Sequence, residues 1–232
     1  MTDAAELLVN LPDPAAVFFD LDGTLVDTVS VRVEAWRRAA LKAGLDIDPA
    51  ILPQYMGSDG RWLAGEVGRS VGRDLDWAAR DQLDRDAGAN FDELNVSPLT
   101  TPGASELLTL LEASSLIFLI ATASQPGQVA VSVSALGLPM PPTIVDAGHV
   151  EHAKPAPDLL LAAAAQIGVA PEKCWYVGDS TWDMMASRAA AMPGVGVTTG
   201  ATDAAGLRAA GADAVIAGLP ELRDELRRRG LI

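Results

Sequence analysis

Short, continuous apolar runs punctuate the chain. They are "AVFFD" (16–20), "LIFLIAT" (116–122), "TIVDA" (143–147), "CWYVGDS" (174–180), "GVGVT" (194–198) and "ADAVIAG" (212–218). Each is rich in Val, Ile or Phe, ends at Gly, Pro, Asp or Thr, and lacks the polar–apolar alternation of a half-exposed strand. That pattern predicts parallel strands buried on both faces. Helical patterns lie between them: "ASELLTLLEA" after Pro102-Gly103, "GQVAVSVSALGL" after Pro126, "APDLLLAAAAQIG" and "TWDMMASRAAAM". Proline early and glycine late is the punctuation of a helix. Strand–helix alternation predicts an α/β fold, a Rossmann-like parallel sheet with helices on both faces.

One region breaks the alternation. From Val29 to Val96 no strand pattern occurs. "VSVRVEAWRRAALKAG" places Val29, Val33, Trp36 and Ala40 at helical spacing, and Gly44 closes it. "DGRWLAGEVGRSVG" and "LDWAARDQLDRDAGANFDEL" also read as helices. Residues 29–98 therefore form an inserted all-helical unit, and 1–28 with 99–232 form the core. Trp62 and Trp77 are expected in the core of that unit.

Composition narrows the function classes. The 232 residues are 49% hydrophobic and 21% charged, with a formal net charge of −14. Such acidity argues against a nucleic-acid or anionic-membrane partner. No apolar run, Leu116 to Ala121 included, approaches the roughly 20 residues of a bilayer span. "MTDAAELLVN" carries neither a basic n-region nor a long apolar h-region, so no secretory signal is expected. The single cysteine, Cys174, permits no internal disulfide and reads as an inert buried thiol. A cytoplasmic protein is the simplest expectation. Lys42, Lys154 and Lys173 are its lysines.

In an open parallel sheet, ligands sit beyond the carboxyl ends of the strands. Those ends carry Asp20 and Asp22, then Thr122, then Asp179 and Asp183, with Lys154 following the third run. Asp20 and Asp22 are either a solvated turn or half of a cation site. Clustered carboxylates with little histidine select Mg²⁺, which binds oxygen ligands and pairs with phosphates. A carboxylate beside Mg²⁺ can attack phosphorus. Lys154, Thr122 and the loop amides near Gly23 can hold the equatorial oxygens. A second carboxylate two residues on can serve as general acid and base.

Together these motifs, "DLDGT", the threonine of "LIATAS", the lysine of "KPAPD" and "GDSTWD", resemble the haloacid dehalogenase superfamily. The similarity is to its phosphatase-like branch with a helical cap after the first strand, the branch of phosphoglycolate phosphatases and β-phosphoglucomutases. It covers essentially the whole chain. The resemblance implies that Asp20 is the nucleophile and Asp22 the general acid/base. It implies that Thr122 and Lys154 bind the phosphoryl group, Lys154 also steadying Asp20. Mg²⁺ is then held by the Asp20 carboxylate, the Asp22 carbonyl and Asp179, with Asp183 supporting from behind.

A few positions separate the chemistries of that superfamily. Its dehalogenases lack the second aspartate, so Asp22 favours phosphoryl transfer. The phosphonate-cleaving relatives use a cap lysine, and Lys42 is expected to be exposed. Mutase relatives commonly carry a histidine twelve residues after the nucleophile; here Arg32 stands there. Arg32 either faces the crevice and binds an anionic group of the substrate or is a solvated helix arginine. Arg61, after the glycine-rich turn of "YMGSDGRWL", is a candidate substrate ligand. Asp27 with Thr28 is expected to cap the first inserted helix. Ser124 reads as a turn or helix cap, and His149 and His152 as loop surface. The expected activity is Mg²⁺-dependent hydrolysis of a small phosphomonoester, a sugar phosphate or a phosphoglycolate-like metabolite, through an aspartyl-phosphate. β-Phosphoglucomutase-like transfer and a non-catalytic binding protein of the same fold are the alternatives.

Overall fold

The computed structural model describes residues 8–150 and 152–232. Most of the amino-terminal stretch bearing on a secretory signal, residues 1–7, and the side chain of His149 lie outside the described residues. All six apolar runs form strands of one parallel sheet. They are β1 (Ala16–Phe19), β4 (Ile117–Ala121), β5 (Ile144–Val145), β6 (Cys174–Gly178), β7 (Gly194–Val197) and β8 (Ala214–Ile216), in spatial order β5-β4-β1-β6-β7-β8. β1 lies centrally, pairing Phe19 with Ile120 of β4 and with Val177 of β6. The chain runs outward from β1 in both directions, which opens a crevice where neighbouring connections diverge. Because the register is level, Asp20, Thr122 and Asp179 leave three adjacent strands side by side.

Two layers of helices cover the sheet. On one face Val17, Phe19, Ile120 and Val177 pack with Leu107, Leu108 and Leu111 of α4 (Ala104–Glu112) and with Val129 of α5 (Pro126–Ser134). On the other, Phe18, Leu119 and Tyr176 meet Leu159, Leu160 and Ala163 of α6 (Asp158–Ile167) and Ala186 of α7 (Thr181–Ala189). Odd and even residues of β1 thus serve opposite layers, as the pleat requires. Two helices not singled out by the apolar pattern complete the core: α8 (Ala204–Ala210) and α9 (Leu219–Arg228). Leu219, Leu222 and Leu226 of α9 are fully buried beside α4. Each such leucine contributes about 1.5–3 kcal/mol.

The insertion is helical among its described residues. It comprises α1 (Val29–Lys42), α2 (Gly60–Ser70) and α3 (Trp77–Leu94), with short 3-10 turns at Pro49–Ile51 and Pro53–Tyr55. It has its own hydrophobic cluster, built on Trp36, Ala39, Leu52, Leu63, Val67 and Leu83. Trp62 and Trp77 do not belong to it. Trp77 is 66% exposed, and Trp62 is 38% exposed and packs edge-on against Trp182 of α7, centroids 4.8 Å apart. Both tryptophans sit near helix starts, outside the buried stripe of their helices. Where the chain enters and leaves the insertion, β2 (Val26–Asp27) pairs antiparallel with β3 (Leu99–Thr100). The expected cap at Asp27-Thr28 is not made: Asp27 pairs with Leu99, and the Thr28 hydroxyl turns away from α1.

Candidate active site

Three buried carboxylates and one buried ammonium form the floor. Asp20 follows β1, Asp179 follows β6, and Asp183 lies in the first turn of α7; each offers an oxygen within 4.8 Å of the others. Lys154, 2% exposed, donates to Asp20 Oδ1 at 2.7 Å and to Asp183 Oδ1 at 2.6 Å. Asp183 is held from every side. The Tyr176 hydroxyl donates to its Oδ1 at 2.9 Å, and the Ser180 amide donates to its Oδ2 at 2.9 Å. Asp183 therefore holds Lys154 against Asp20.

Two glycines shape the cradle of Asp179. Gly23 and Gly200 approach so closely that a Cβ on either would overlap its carboxylate. Gly23 adopts φ +82°, which glycine alone reaches without strain. Its amide donates to the Val26 carbonyl at 2.7 Å. Gly23 therefore serves the site by close approach to Asp179, where the sequence offers it as a phosphate-binding amide. Thr24 Oγ1 and the Ala201 amide donate to Asp179 at 3.0 and 2.9 Å.

These charges do not balance. Burial, then the repulsion of Asp183 and Asp22, lifts Asp20 to about 7, with Lys154 pulling the other way. Burial, then Asp183 and Asp20, lifts Asp179 well above the carboxylate range. Burial opposes the charge of Lys154, but Asp183 and Asp20 outweigh it and raise its pKa. Three carboxylates against one ammonium leave two negative charges in a buried, all-oxygen site. That donor set and charge fit one hard divalent cation.

Asp22 stands apart from this cluster. Burial would raise its pKa, but the Arg32 guanidinium and hydrogen bonds from Arg32, Ser124 and Thr28 hold it below the usual range. Arg32 Nη2 donates to Asp22 Oδ2 at 2.7 Å and to Ser124 Oγ at 2.7 Å. Thr28 Oγ1 donates to Asp22 Oδ1 at 2.5 Å, and Ser124 Oγ also contacts Oδ2. The guanidinium lies 3.9 Å from the centre of the Phe91 ring. Arg32 is thus neither solvated nor free for a substrate anion; it binds across from α1 to the core. Ser124 is likewise drawn into the site rather than capping a turn. Its place two residues after Thr122, on the same loop, was a visible pointer. Tyr176 gave none, since an aromatic in a buried strand reads as core.

Thr122 is buried, and its Oγ1 accepts from the Ser124 amide at 3.2 Å. A cleft of about 430 Å³ opens above the floor, lined below by Asp20, Asp22, Thr122 and Lys154 and above by the insertion, Arg61 included. Arg61 is half-exposed, 3.9 Å from Asp59 and 5.1 Å from the Trp77 ring. Lys42 lies on the surface and pairs with Asp86. His152 is exposed beside Asp158. Among the described residues no helix is long and apolar enough to cross a membrane.

Comparison with known proteins agrees with this arrangement. Residues 17–197 match the family model described as haloacid dehalogenase-like hydrolase. The chain is 30% identical over 186 residues to fructose-1-phosphate phosphatase YqaB of Escherichia coli, covering 79% of this chain and 96% of that one. It is 29% identical over 217 residues to E. coli phosphoglycolate phosphatase, covering 81% and 82%. A hydrolase from Pseudomonas syringae superposes with a TM-score of 0.85 at 31% identity, covering 92% and 98%. With its six-stranded parallel sheet, its buried aspartate floor and phosphatases among its relatives, this chain belongs to the haloacid dehalogenase-like hydrolase family, as a phosphatase-type hydrolase.

Proposed function

We propose that the protein is a Mg²⁺-dependent phosphatase of small, soluble phosphomonoesters, working in the cytoplasm through an aspartyl-phosphate on Asp20. The observation that carries this reading is the division of labour between the two motif aspartates. Asp20 lies in the carboxylate floor beside Lys154, whereas Asp22 is held separately by Arg32, Ser124 and Thr28. One is placed to attack and the other to manage a proton.

Asp20, Asp179 and the Asp22 carbonyl would hold Mg²⁺, with Asp183 behind. When bound, the cation neutralises charge on the phosphoryl oxygens and the nucleophile. Lys154 and the Thr122 hydroxyl orient the phosphoryl group. The Asp20 carboxylate attacks phosphorus as the P–O bond to the alcohol breaks; Asp22, ionised while paired with Arg32, must release that pair and take a proton from solvent before it can give one to the departing oxygen. Asp22 then takes a proton from water, whose oxygen attacks the acyl phosphate and releases inorganic phosphate and free Asp20. The insertion acts as a cap, residues 29–98, that covers the cleft and limits water while the ester bond breaks.

The named relatives are a fructose-1-phosphate phosphatase and a phosphoglycolate phosphatase, which supports a small phosphorylated metabolite as the substrate. Asp20→Asn keeps the volume and removes the nucleophile, so Mg²⁺-dependent hydrolysis of an aryl phosphate should vanish while the circular dichroism spectrum stays native. Undiminished hydrolysis by that variant would refute the mechanism. Incubation with β-glucose 1-phosphate and a bisphosphate primer should yield free phosphate; net glucose 6-phosphate would reassign the protein as a mutase.

A further inference from the structure

The roof of the cleft carries chemistry that the phosphoryl site does not use. Asp59, Asp81, Asp84, Arg61 and Arg85 all line it from the insertion. Arg85 is paired with Asp81, and Arg61 has Asp59 beside it. Arg32 is paired with Asp22 and Lys154 with Asp20 and Asp183. Among the described residues of the cleft, every cation therefore already has an acidic neighbour, and the roof carries more acid than base. A second anionic group on the substrate would meet only cations that already have an acidic neighbour, of which Arg61, 3.9 Å from Asp59, is the most loosely held.

Asp84 is different from its neighbours. Its carboxylate makes no hydrogen bond within the described residues, and it is partly buried on the roof. It packs so closely on Gly60, at the start of α2, that a Cβ there would overlap its Oδ1. Burial and the nearby Asp59 raise its pKa, while Arg61 lowers it. The side-chain amide of Gln128 also lines the cleft, below α3, with its Nε2 3.5 Å from where a Cβ on Gly88 would lie. A desolvated acceptor above and an amide at the side suit hydroxyl groups, which both donate and accept.

We infer that Asp84 is a specificity residue that accepts a hydroxyl of the leaving group, so that the preferred substrates are neutral polyol or sugar phosphates rather than phosphorylated acids. The inference rests on the phosphatase reading and refines it to a substrate class. A sugar hydroxyl satisfies Asp84 as its water is displaced; the carboxylate of phosphoglycolate would instead oppose Asp84 and Asp59. Sites built around a hydroxyl discriminate strongly against ligands lacking it, because their own polar group is left unpaired.

The test compares kcat/KM of wild type, Asp84→Ala and Asp84→Asn on hexose and hexitol phosphates, phosphoglycolate and an aryl phosphate. Wild type should favour the polyol phosphates. Asp84→Ala should lose about 10- to 100-fold on them, the range of a hydrogen bond to a charged group, and much less on the aryl phosphate, which has no hydroxyl to offer. Asp84→Asn, which keeps an acceptor oxygen, should recover part of the loss. Gly60→Ala, which displaces the carboxylate without removing it, should follow Asp84→Ala in direction. A wild-type preference for phosphoglycolate would overturn the inference, as would an equal effect of Asp84→Ala on every substrate or none on the polyol phosphates. Each of those results leaves the phosphatase reading standing. Absence of aryl phosphate hydrolysis by the wild type would remove that reading, and this inference with it.

Discussion

Arg32 shows how one side chain can be conspicuous in a sequence while its partner stays hidden. Its position, twelve residues past Asp20, marks it as a departure from a related pattern. Spacing places its Cα in the first turns of α1, but a long arginine can reach outward or back across the helix start, and only packing decides. Phe91 beneath the guanidinium and Ser124 beside it decide for Asp22. Arg32→Ala would strand a buried carboxylate. Removing one member of a buried pair costs about 3–5 kcal/mol, so turnover should fall at least tenfold with KM for an aryl phosphate little changed, and Arg32→Lys should restore part of it. Gly200→Ala drives a methyl into the Asp179 carboxylate. Titration calorimetry should show weakened Mg²⁺ binding while the far-ultraviolet spectrum is preserved. Cys174, the thiol read as inert, is buried and its pKa is pushed up to about 11, by burial first and then by Glu172. Against an ordinary value near 8.5 this leaves roughly a hundredfold less thiolate at pH 8. Iodoacetamide should label the native protein far more slowly than the urea-unfolded chain, and equal rates would show the burial to be wrong.

The strands were legible because they are largely buried and so read as unbroken apolar words, and three of them, β1, β4 and β6, run straight into Asp20, Thr122 and Asp179. β2 and β3 were not, since two residues contain no period. α8 escaped for a related reason: "AAGLRAA" buries a single leucine, Leu207, which makes no stripe. The insertion was readable as helices but not as a surface, so the pairing of Trp62 on α2 with Trp182 on α7 could not be foreseen. Trp182 Nε1 also donates to the Gln54 carbonyl at 3.3 Å, so a contact besides β2 and β3 joins the insertion to the core. Trp182→Ala should loosen this contact between the insertion and the core. Limited proteolysis in the loop around Gly57-Ser58 should quicken, and intrinsic fluorescence should respond less to inorganic phosphate with Mg²⁺ than in the wild type.

Taken whole, the molecule stores unfavourable charge where the reaction needs it. Asp20 at about 7 and Asp179 well raised mean that the metal-free fold keeps protons which the unfolded chain, near 3.8, gives up. By linkage the native state binds more protons, so stability of the metal-free protein should fall as pH rises from about 4 to about 7. Mg²⁺ takes the place of those protons. At a hundred times its dissociation constant it should add about 2.7 kcal/mol, raising Tm by several degrees at pH 7.5 and reversibly with a chelator. Asp179→Asn should raise the metal-free Tm and abolish that response. The paired β2 and β3 carry a different consequence. Asp27 faces Leu99 across an antiparallel ladder, the spacing at which two-residue turns close hairpins. Topologically, then, the sheet-bearing half is an unbroken chain with one hairpin opened at its tip. Residues 29–98, read as a cap, would hang from that opening like a cartridge in a slot. A short Asn-Gly turn in its place should leave a folded, shorter protein, and a different helical unit spliced between the same two strands should carry its own choice of substrate with it.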